Sequence, residues 1–450
     1  MATSNLSSDK LHTALLALGD SPCWWVALSG GLDSTVLLHL LAQVRLSDPG
    51  LPPLRALHVN HRLHPDADQW QRSCEQLCQE LGVPLRCEAV TVQARGQGLE
   101  SAARESRHRV FHARLEAGEY LFTGHHKDDQ VETFLLRLLR GAGVDGLGAM
   151  APNRPIGRGV LHRPLLDVTR GQLASYAREH ALRYIDDPSN SDTSLDRNFL
   201  RHDVIPLLAV RWPGYRDTVS RAAGHLREAA EQLRQLIPEV PRCRSVFGDP
   251  GLELEALLDL PDSLAARVLR DWLRQLGVAQ APDSVVLLEF LRQLRSGGSG
   301  SKARLNTGGV TLQRFHQAVY NLPENLGLAP PAEGELSPGQ SCGHAATGSI
   351  HLVQAQGAGL ELEAAEVLSV RWRGGGERCR PLGRARSRSL KKLLQEARVP
   401  PWWRDRIPLL YLGDELLAVG DLWLCESSRL KRDGPGWQVR WKRNTPMPQD

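Results

Sequence analysis

The strongest constraint in this chain is the alternation of short apolar runs with helical patterns over its first 140 residues. Apolar runs at residues 24–28, 54–59, 85–92 and 120–123 predict buried strands. Each is followed by apolar residues at helical spacing, and these segments are 37–41, 70–81, 100–116 and 130–139. The alternation predicts an α/β fold, a parallel sheet covered by helices on both faces. Ligands of such sheets bind where strands end and helices begin.

The length of the chain predicts more than one domain. At about 150 residues per domain, 450 residues correspond to three. Helical patterns replace the strand signals after residue 214, and a stretch rich in Pro, Gly and Ala at 328–348 marks a second boundary. We expect a parallel-sheet domain at 1–214, a mainly helical domain at 215–327, and a small basic α+β domain at 350–450. The Gly/Ser stretch at 296–301 is either a linker or the turn of a hairpin that continues to residue 315.

Composition restricts the class of protein. Hydrophobic residues at 41% and charged residues at 24% are ordinary for a soluble globular chain. The start of the chain lacks a signal-peptide pattern, and no run reaches the roughly 20 apolar residues of a membrane span. The eight cysteines are scattered without a C-x-x-C pair, which favours reduced structural thiols over disulfides or zinc. We therefore expect a cytoplasmic protein without a membrane partner.

The charge of the chain is uneven. Its net charge is only +4, but residues 371–406 hold 12 Lys and Arg against 3 acidic residues. This stretch includes a predicted basic helix at 389–397. The local excess predicts contact with a polyanion; the alternative is a solvated, arginine-rich surface.

The turn after the first strand reads Ser29-Gly30-Gly31-Leu32-Asp33-Ser34. The two glycines allow the backbone to approach a ligand closely, and the N-terminus of the following helix attracts phosphate. Asp33 would repel a phosphate unless a cation lay between them, so we expect Mg²⁺ to bridge the two. The alternative is an ordinary capped helix start.

The turn after the fourth strand carries His125, Asp129 and Glu132. If the helix begins near His125, these three side chains lie on one face at i, i+4 and i+7. Two neighbouring carboxylates repel unless a cation separates them, so the pair would suit an ammonium group, and one carboxylate could accept its proton. Metal coordination and a structural helix cap are the alternatives.

Two further segments carry arginines with less specific signals. Arg104 and Arg107 share a helix face at i and i+3, where they could clamp phosphate or be ordinary surface residues. Arg197 and Arg201 follow a polar loop at 187–192, which by itself indicates only a loop and a helix cap.

Together these segments resemble the tRNA(Ile)-lysidine synthetase family of the PP-loop ATP pyrophosphatases. The elements Gly-His-His-x-Asp-Asp-Gln-x-Glu-Thr and Asp-Pro-Ser-Asn are the most specific. One position departs from the pattern, because Arg62 stands where family members often have a glycine. If the family's loop needs a positive φ at this position, Arg62 would alter the conformation of the loop. The matching segments are residues 29–34, 58–61, 67–68, 100–107, 124–133, 139–143, 146–147, 163–165, 187–201, 373–375, 391–393 and 399–408.

The resemblance implies a bacterial ligase with extra C-terminal domains, acting in two steps with ATP and Mg²⁺. ATP first adenylates the C2 oxygen of the wobble cytidine in isoleucine tRNA with a CAU anticodon, releasing pyrophosphate. The ε-amine of free L-lysine then displaces AMP and forms lysidine. Because lysidine pairs with A, the tRNA reads AUA and its identity changes from methionine to isoleucine.

The resemblance also implies residue roles. Residues 29–34 would hold ATP, and Asp129 and Glu132 would hold lysine; the internal roles of Asp128, Asp129 and Glu132 stay open, as does the oligomeric state, a homodimer included. The implied catalytic residues are Asp33, Arg104, His125, Asp129, Glu132 and Arg197. The expected tRNA contacts are Arg201, Arg386, Arg388, Lys391 and Lys392.

Three other functions fit the sequence less well. A tRNA thiolase needs a reactive cysteine beside the cytidine, commonly in a C-x-x-C pair, and an amidotransferase synthetase needs a glutaminase cysteine; neither pattern is present. A non-catalytic RNA-binding scaffold would be expected to lose its costly charged clusters, whereas Asp33, His125, Asp129 and Glu132 are intact.

Overall fold

The structure is a computed structural model that describes residues 6–92, 99–278, 281–297, 303–323, 333–344 and 347–443. Its contacts divide the chain into two compact units, residues 1–235 and 236–450. Residues 298–301 lie outside the described residues, as do residues 328–332 and 345–346 of the predicted boundary at 328–348. Within the described ranges, no helix has the length and apolar character needed to cross a membrane.

The first unit is built on a mixed sheet that confirms the four predicted strands. Its strands are β1 (Trp24–Ala27), β2 (Leu54–Asn60), β3 (Leu85–Ala89), β4 (Tyr120–Phe122), β5 (Asn153–Ile156) and β6 (Gly159–His162). The order is β3-β2-β1-β4-β6-β5, with β1–β4 and β6 parallel and β5 antiparallel to β6. The β5–β6 hairpin was not predicted from the sequence, because its strands are short and carry polar residues.

Helices cover this sheet and confirm the predicted strand–helix alternation. Helix α2 is the central one: it is buried on nearly all sides, and Val36, Leu38 and Leu40 have no exposed surface. The helices are α1 (Ser8–Leu16), α2 (Leu32–Ser47), α3 (Ala67–Glu80), α4 (Leu99–Arg114), α5 (Lys127–Leu139), α6 (Val144–Leu147), α7 (Arg170–Glu179), α8 (Asp196–Phe199), α9 (Ile205–Arg211) and α10 (Tyr215–Gln235). A 3₁₀ turn at Pro188–Ser191 and a π-helical turn at Leu200–Val204 complete the unit.

Both faces of the sheet are buried, as a parallel sheet requires. Side chains alternate along β1, so Trp24 and Trp25 enter different cores. Trp24 packs with α2 and α7, whereas Trp25 packs with Phe111 of α4 and Leu161 of β6. This packing fixes the strand ends that carry the polar turns.

The second unit begins with a small sheet packed against helices. A hairpin, β9–β10, precedes residue 315, but its turn holds Gly308 and Gly309; residues 298–301 lie outside the described ranges, so the choice between a linker and a turn at 296–301 stays open. The sheet order is β7-β8-β11-β10-β9. These elements are β7 (Arg242–Arg244), β8 (Pro250–Glu253), α11 (Leu254–Leu258), α12 (Asp262–Gln275), α13 (Ser284–Ser296), β9 (Arg304–Thr307), β10 (Val310–Phe315) and β11 (Ala318–Asn321).

The rest of the second unit is an α+β region with antiparallel sheets, and α14 confirms the predicted basic helix. A buried carboxylate joins it to the preceding region, since Trp402 and Trp403 donate their indole N–H groups to Asp249 at 3.1 and 3.0 Å. The elements are β12 (Gly334–Leu336), β13 (Ser341–His344), β14 (Gly348–Gln356), β15 (Gly359–Leu360), β16 (Leu368–Arg371), β17 (Arg378–Cys379), β18 (Arg388–Ser389), α14 (Leu390–Glu396), α15 (Pro401–Arg404), β19 (Leu409–Leu412), β20 (Glu415–Val419), β21 (Trp423–Leu424), β22 (Leu430–Lys431) and β23 (Pro435–Lys442).

The division into three domains at 1–214, 215–327 and 350–450 stays a prediction. The contacts group α10 with the first unit, where it packs on α5 and α6. Arg234 of α10 pairs with Asp145 of α6, and Arg227 donates to the carbonyl of Met150. At the other end of the helix, Arg216 donates to Asp128 Oδ1 at 2.6 Å, so α10 also supports the start of α5, which carries the polar cluster.

Candidate active site at the carboxyl ends of the parallel strands

The turn at residues 29–34 is a compact loop that opens α2. Its two serine hydroxyls lie 3.0 Å apart in a hydrogen bond, and Ser34 Oγ donates to the carbonyl of Gly31. Gly31 is the N-cap, so Leu32, Asp33 and Ser34 form the first helical turn, whose N–H groups have no intrahelical acceptors. This geometry suits an anion at the N-terminus of a 16-residue helix.

At two positions the backbone lies so close to neighbouring atoms that only glycine, which has no Cβ, fits. Gly30 has φ of +86°, and a Cβ there would lie 2.4 Å from Cδ1 of Ile185. A Cβ on Gly124, after β4, would lie 2.8 Å from the backbone carbon of Asp33. The backbones after β1 and β4 are therefore in direct contact at the carboxyl edge, as the two motifs predict.

The helix after β4 begins two residues later than the sequence pattern assumes. Helix α5 starts at Lys127, and His126 is its N-cap, whose N–H donates to Asp129 Oδ2 at 3.0 Å. His125 lies before the helix, so the expectation that it shares a helical face with Asp129 and Glu132 is wrong. The reason is the cap: Asp129 occupies the N3 position, which fixes the start of the helix.

The carboxylates of Asp129 and Glu132 are held by two arginines. Glu132, only 1% exposed, accepts from Arg197 Nε at 2.7 Å and from Arg201 Nε at 2.6 Å. Arg197 also donates to Asp129 Oδ1 at 2.7 Å. The cation expected between the two carboxylates is thus supplied by guanidinium groups. Within the described ranges, no cluster of three His, Cys, Asp or Glu side chains is arranged to hold a metal.

The charges of this network shift the titration of its members. Burial raises the pKa of Asp129, but the nearby His126, Arg197 and His125 outweigh it, so the pKa ends up below its usual value. A lowered carboxyl pKa contributes stability above the unfolded-state value, and this contribution is lost as pH falls through the folded-state value. Asp129 therefore stays ionised in the folded enzyme at neutral pH.

The pKa values of the two histidines are shifted in opposite directions. Burial, together with the charges of Arg163, Arg197 and Arg104, outweighs Asp129 and lowers the pKa of His125 to about 3, so this ring is neutral. Burial also acts to lower the pKa of His126, but its interactions with Asp33, Asp129 and Asp128 raise it overall. His126 Nε2 lies 3.6 Å from Asp33 Oδ2 and 3.5 Å from Asp129 Oδ2. His126, missed by the sequence analysis, thus links the two turns; its cap spacing to Asp129 was the available signal.

Asp128 has a separate, structural environment. Its carboxylate accepts from Arg216 Nε of α10 at 2.6 Å and from the N–H of Arg170, at the start of α7, at 2.8 Å. These contacts outweigh burial and lower its pKa. Asp128 therefore fixes α5 to its neighbouring helices.

The polar loop at 187–192 is fixed to the helix that carries the arginines. The side-chain amide of Asn198, which is buried, donates to the carbonyls of Ser189 and Asp192, both at 2.9 Å. Arg197 lies in α8 and Arg201 in the π-helical turn that follows, and both point at Glu132. Arg62, in the loop after β2, adopts φ of +51°, the left-handed conformation that glycine would take without strain.

The predicted tRNA contacts of the second unit are exposed, but they differ in their pairing. Arg388 forms an ion pair with Glu396, which also binds Arg384. Among the described residues, no ion pair involves Arg386, Lys391 or Lys392. The last three are therefore the better candidates for phosphate contact.

Replacing Glu132 with Gln should destabilise the first unit by about 2–4 kcal/mol, because it removes the charge that two partly buried guanidinium groups share. Glu116→Gln is the matched control: its partner is Arg158, and both side chains are mostly exposed, so its cost should stay under about 0.5 kcal/mol. Urea unfolding of both variants measures the difference. Equal costs would contradict the account of the network.

Comparison with known proteins matches three parts of the chain to family models. Residues 5–208 match a family model described as PP-loop domain. Residues 252–320 match one described as TilS substrate binding domain, and residues 368–441 one described as TilS substrate C-terminal domain. Among solved structures, the U34-tRNA thiolase NcsA from Methanococcus maripaludis aligns with 49% of this chain and 77% of its own, at 18% identity and a TM-score of 0.42.

Similar sequences cover almost the whole chain. The tRNA(Ile)-lysidine synthase of Coxiella burnetii is 36% identical over 96% of this chain and 96% of its own length. That of Pseudomonas aeruginosa is 41% identical over 98% of both chains. Identity at this level over nearly the full length, together with the matched domains, shows that the chain belongs to the tRNA(Ile)-lysidine synthase family.

Proposed function

We propose that this enzyme uses ATP to adenylate the C2 oxygen of the wobble cytidine in CAU-anticodon isoleucine tRNA, and then joins free L-lysine to that carbon. The observation that carries the proposal is the pairing of a phosphate-binding turn after β1 with a buried carboxylate pair after β4. The two turns are in backbone contact, so a nucleotide and an amine bound there would be neighbours.

ATP would bind with its phosphates at residues 29–34. Asp33 Oδ1 is buried and has no hydrogen-bond partner among the described residues, which fits a carboxylate oxygen that meets a cation. Mg²⁺ bound there would neutralise charge on the pyrophosphate. Ser29 and Ser34 contribute hydroxyl groups, and the loop backbone contributes N–H donors.

In the first step, the cytidine C2 oxygen attacks the α-phosphorus of ATP, and the bond to pyrophosphate breaks. Arg104 would stabilise the negative charge on the transferring phosphate. His125, a neutral ring that shares a 2.9 Å hydrogen bond with Thr123 Oγ1, would act as a hydrogen-bond partner and not as a cation.

In the second step, the lysine ε-amine attacks C2, the bond to AMP breaks, and the amine loses a proton. Asp129 is the better candidate to meet lysine, because its ionised carboxylate has one close arginine, Arg197 at 2.7 Å, while Arg201 lies at 3.5 Å and the N–H of His126 at 3.0 Å. Both oxygens of Glu132 already accept from Arg197 and Arg201, so it would set the position of these arginines. The lysidine product pairs with A, so the tRNA would read AUA and accept isoleucine.

The thiolase alternative lacks a suitable thiol. Cys74 is the cysteine behind the phosphate turn, since its Sγ lies 3.1 Å from the position of a Cβ on Gly30. Burial raises the pKa of Cys74 to about 12 and that of Cys23 to about 11. Thiols with such values are poor nucleophiles at neutral pH.

The proposal is tested by incubating the enzyme with ATP, Mg²⁺, labelled lysine and a CAU-anticodon isoleucine tRNA transcript. We expect label in this RNA and none in methionine tRNA with the same anticodon. Asp33→Asn should abolish labelling while tRNA binding persists. Pyrophosphate release that depends on tRNA without any lysine transfer would contradict the assigned nucleophile.

We further propose that Arg201 contacts the tRNA near the site and that the basic surface of the second unit binds its backbone. Contacts away from the site must offset the few kcal/mol needed to unstack the wobble base. This activity belongs in the cytoplasm, where tRNA is processed.

Affinity for tRNA should therefore fall steeply with salt, at a log–log slope of about −0.7 to −0.9 per phosphate contacted. Replacing Arg386, Lys391 and Lys392 together with Ala should flatten the slope by about two units. Arg388→Ala, the control, removes a charge that Glu396 already neutralises and should change the slope much less. Filter binding at salt concentrations from about 50 to about 300 mM measures the slopes of both variants. An unchanged slope in the triple variant would exclude this surface as the site of contact with the tRNA backbone.

A further inference from the structure

Four arginines from separate segments interact electrostatically, and two of them, Arg104 and Arg163, also act on His125 of the candidate active site. The four arginines are Arg104 on α4, Arg137 on α5, Arg154 on β5 and Arg163 directly after β6. Burial and the charges of Arg154, Arg104 and Arg137 together lower the pKa of Arg163 to about 10. Burial, and after it the charge of Arg104, lowers the pKa of Arg137 and of Arg154. These side chains therefore share one electrostatic environment, here called the arginine cluster.

The sheet register brings Arg163 to the active-site edge. Phe122 of β4 pairs with His162 of β6, and the N–H of Thr123 donates to the carbonyl of His162 at 3.0 Å. Arg163 is thus the residue that follows β6 at the same edge where His125 follows β4. Its charge is among the causes, after burial, of the low pKa of His125.

The guanidinium of Arg163 is buried and incompletely bonded. The side chain is 7% exposed, and Nη1 donates to the carbonyl of Ala151 at 2.6 Å. Nε is buried without a hydrogen-bond partner among the described residues. Arg154, an exposed residue, extends to His108, with Nη2 3.1 Å from Nδ1.

The ion pairs of Arg137, Arg154 and Arg163 decide what this part of the arginine cluster can bind. Within the described ranges, no ion pair joins a carboxylate to Arg137, Arg154 or Arg163. Like charges gathered in a partly buried space are costly unless an anion joins them. Arg163 is the buried member, Arg137 is partly buried, and Arg104 and Arg154 are exposed, so the cluster extends from the surface to the edge of the sheet.

We infer that Arg163, with Arg154 at the rim, binds a backbone phosphate of the RNA strand beside the reacting nucleotide. This inference rests on the proposed function. A guanidinium fork binds a phosphate through two parallel hydrogen bonds, and Nε of Arg163 is the donor that lacks a partner. The phosphates of ATP have their own turn after β1, and β4 separates β1 from β6 in the sheet. Phosphate contacts of this kind fix the register of a nucleic acid without reading its sequence.

The test compares Arg163→Gln with Arg55→Gln in the full chain. Arg55 is an exposed arginine at the opposite, amino-terminal edge of the same sheet, where β2 begins. We expect Arg163→Gln to raise the Kd for a CAU-anticodon transcript, measured by filter binding, at least about tenfold, while the KM for ATP stays within about twofold. Arg55→Gln should leave both values within about twofold.

A phosphate-specific readout separates binding from folding. An anticodon stem-loop with an uncharged methylphosphonate on either side of the wobble cytidine should bind the wild-type enzyme about tenfold more weakly at one of the two positions. Arg163→Gln should show no further loss at that position, and Arg163→Lys, which retains the charge, should show an intermediate loss. Filter binding does not require lysine transfer, so it is informative even if the proposed reaction fails. A rise in the ATP KM alone, or equal methylphosphonate losses in wild type and Arg163→Gln, would overturn the inference.

Discussion

The buried carboxylate of Glu132 organises the candidate active site. It accepts hydrogen bonds from Arg197 and Arg201, which lie 65 and 69 residues further along the chain. These bonds fix the α8 region against α5, and Asn198 in turn fixes the loop at 187–192. Ile185, just before that loop, packs on Gly30 and donates its N–H to the carbonyl of Gly30 at 2.9 Å. One ionic network therefore positions the carboxylate pair and also supports the turn that would hold phosphate.

Charge is sorted along the carboxyl edge of the sheet. Carboxylates gather at the start of α5, while arginines gather beside β6 and leave the neutral ring of His125 between the two groups. A site of this kind suits a reaction between an ammonium group and an RNA strand. The ammonium group would meet carboxylates, and the phosphates of the RNA would meet arginines. The arginines beside β6 cost stability because like charges repel, whereas Arg197 and Arg201 neutralise the carboxylates at the start of α5. Packing of α2 and the two cores of the sheet offsets that cost.

Much of the first unit was predictable from local sequence patterns. Apolar runs located β1 to β4, and the glycines of residues 29–34 and Gly124 marked the turns that approach a ligand. The role of His126 was not predicted, because a cap depends on which residue starts the helix and not on periodicity. The pairing of Glu132 with Arg197 could not be predicted, since no spacing rule relates residues so far apart. Arg163 was part of a matching motif, but its burial among other arginines becomes visible only when β6 pairs with β4.

The central claim is that the carboxylate of Asp129 serves the lysine step and not the adenylation step. The most direct test measures the two half-reactions of Asp129→Asn, which preserves the size of the side chain. We expect ATP–pyrophosphate exchange that depends on tRNA to stay within about threefold of wild type, while lysine transfer falls about a hundredfold or more, the effect of losing one charged contact to a reacting group. An equal fall in both half-reactions would contradict the account, because it would assign Asp129 to the activation of ATP.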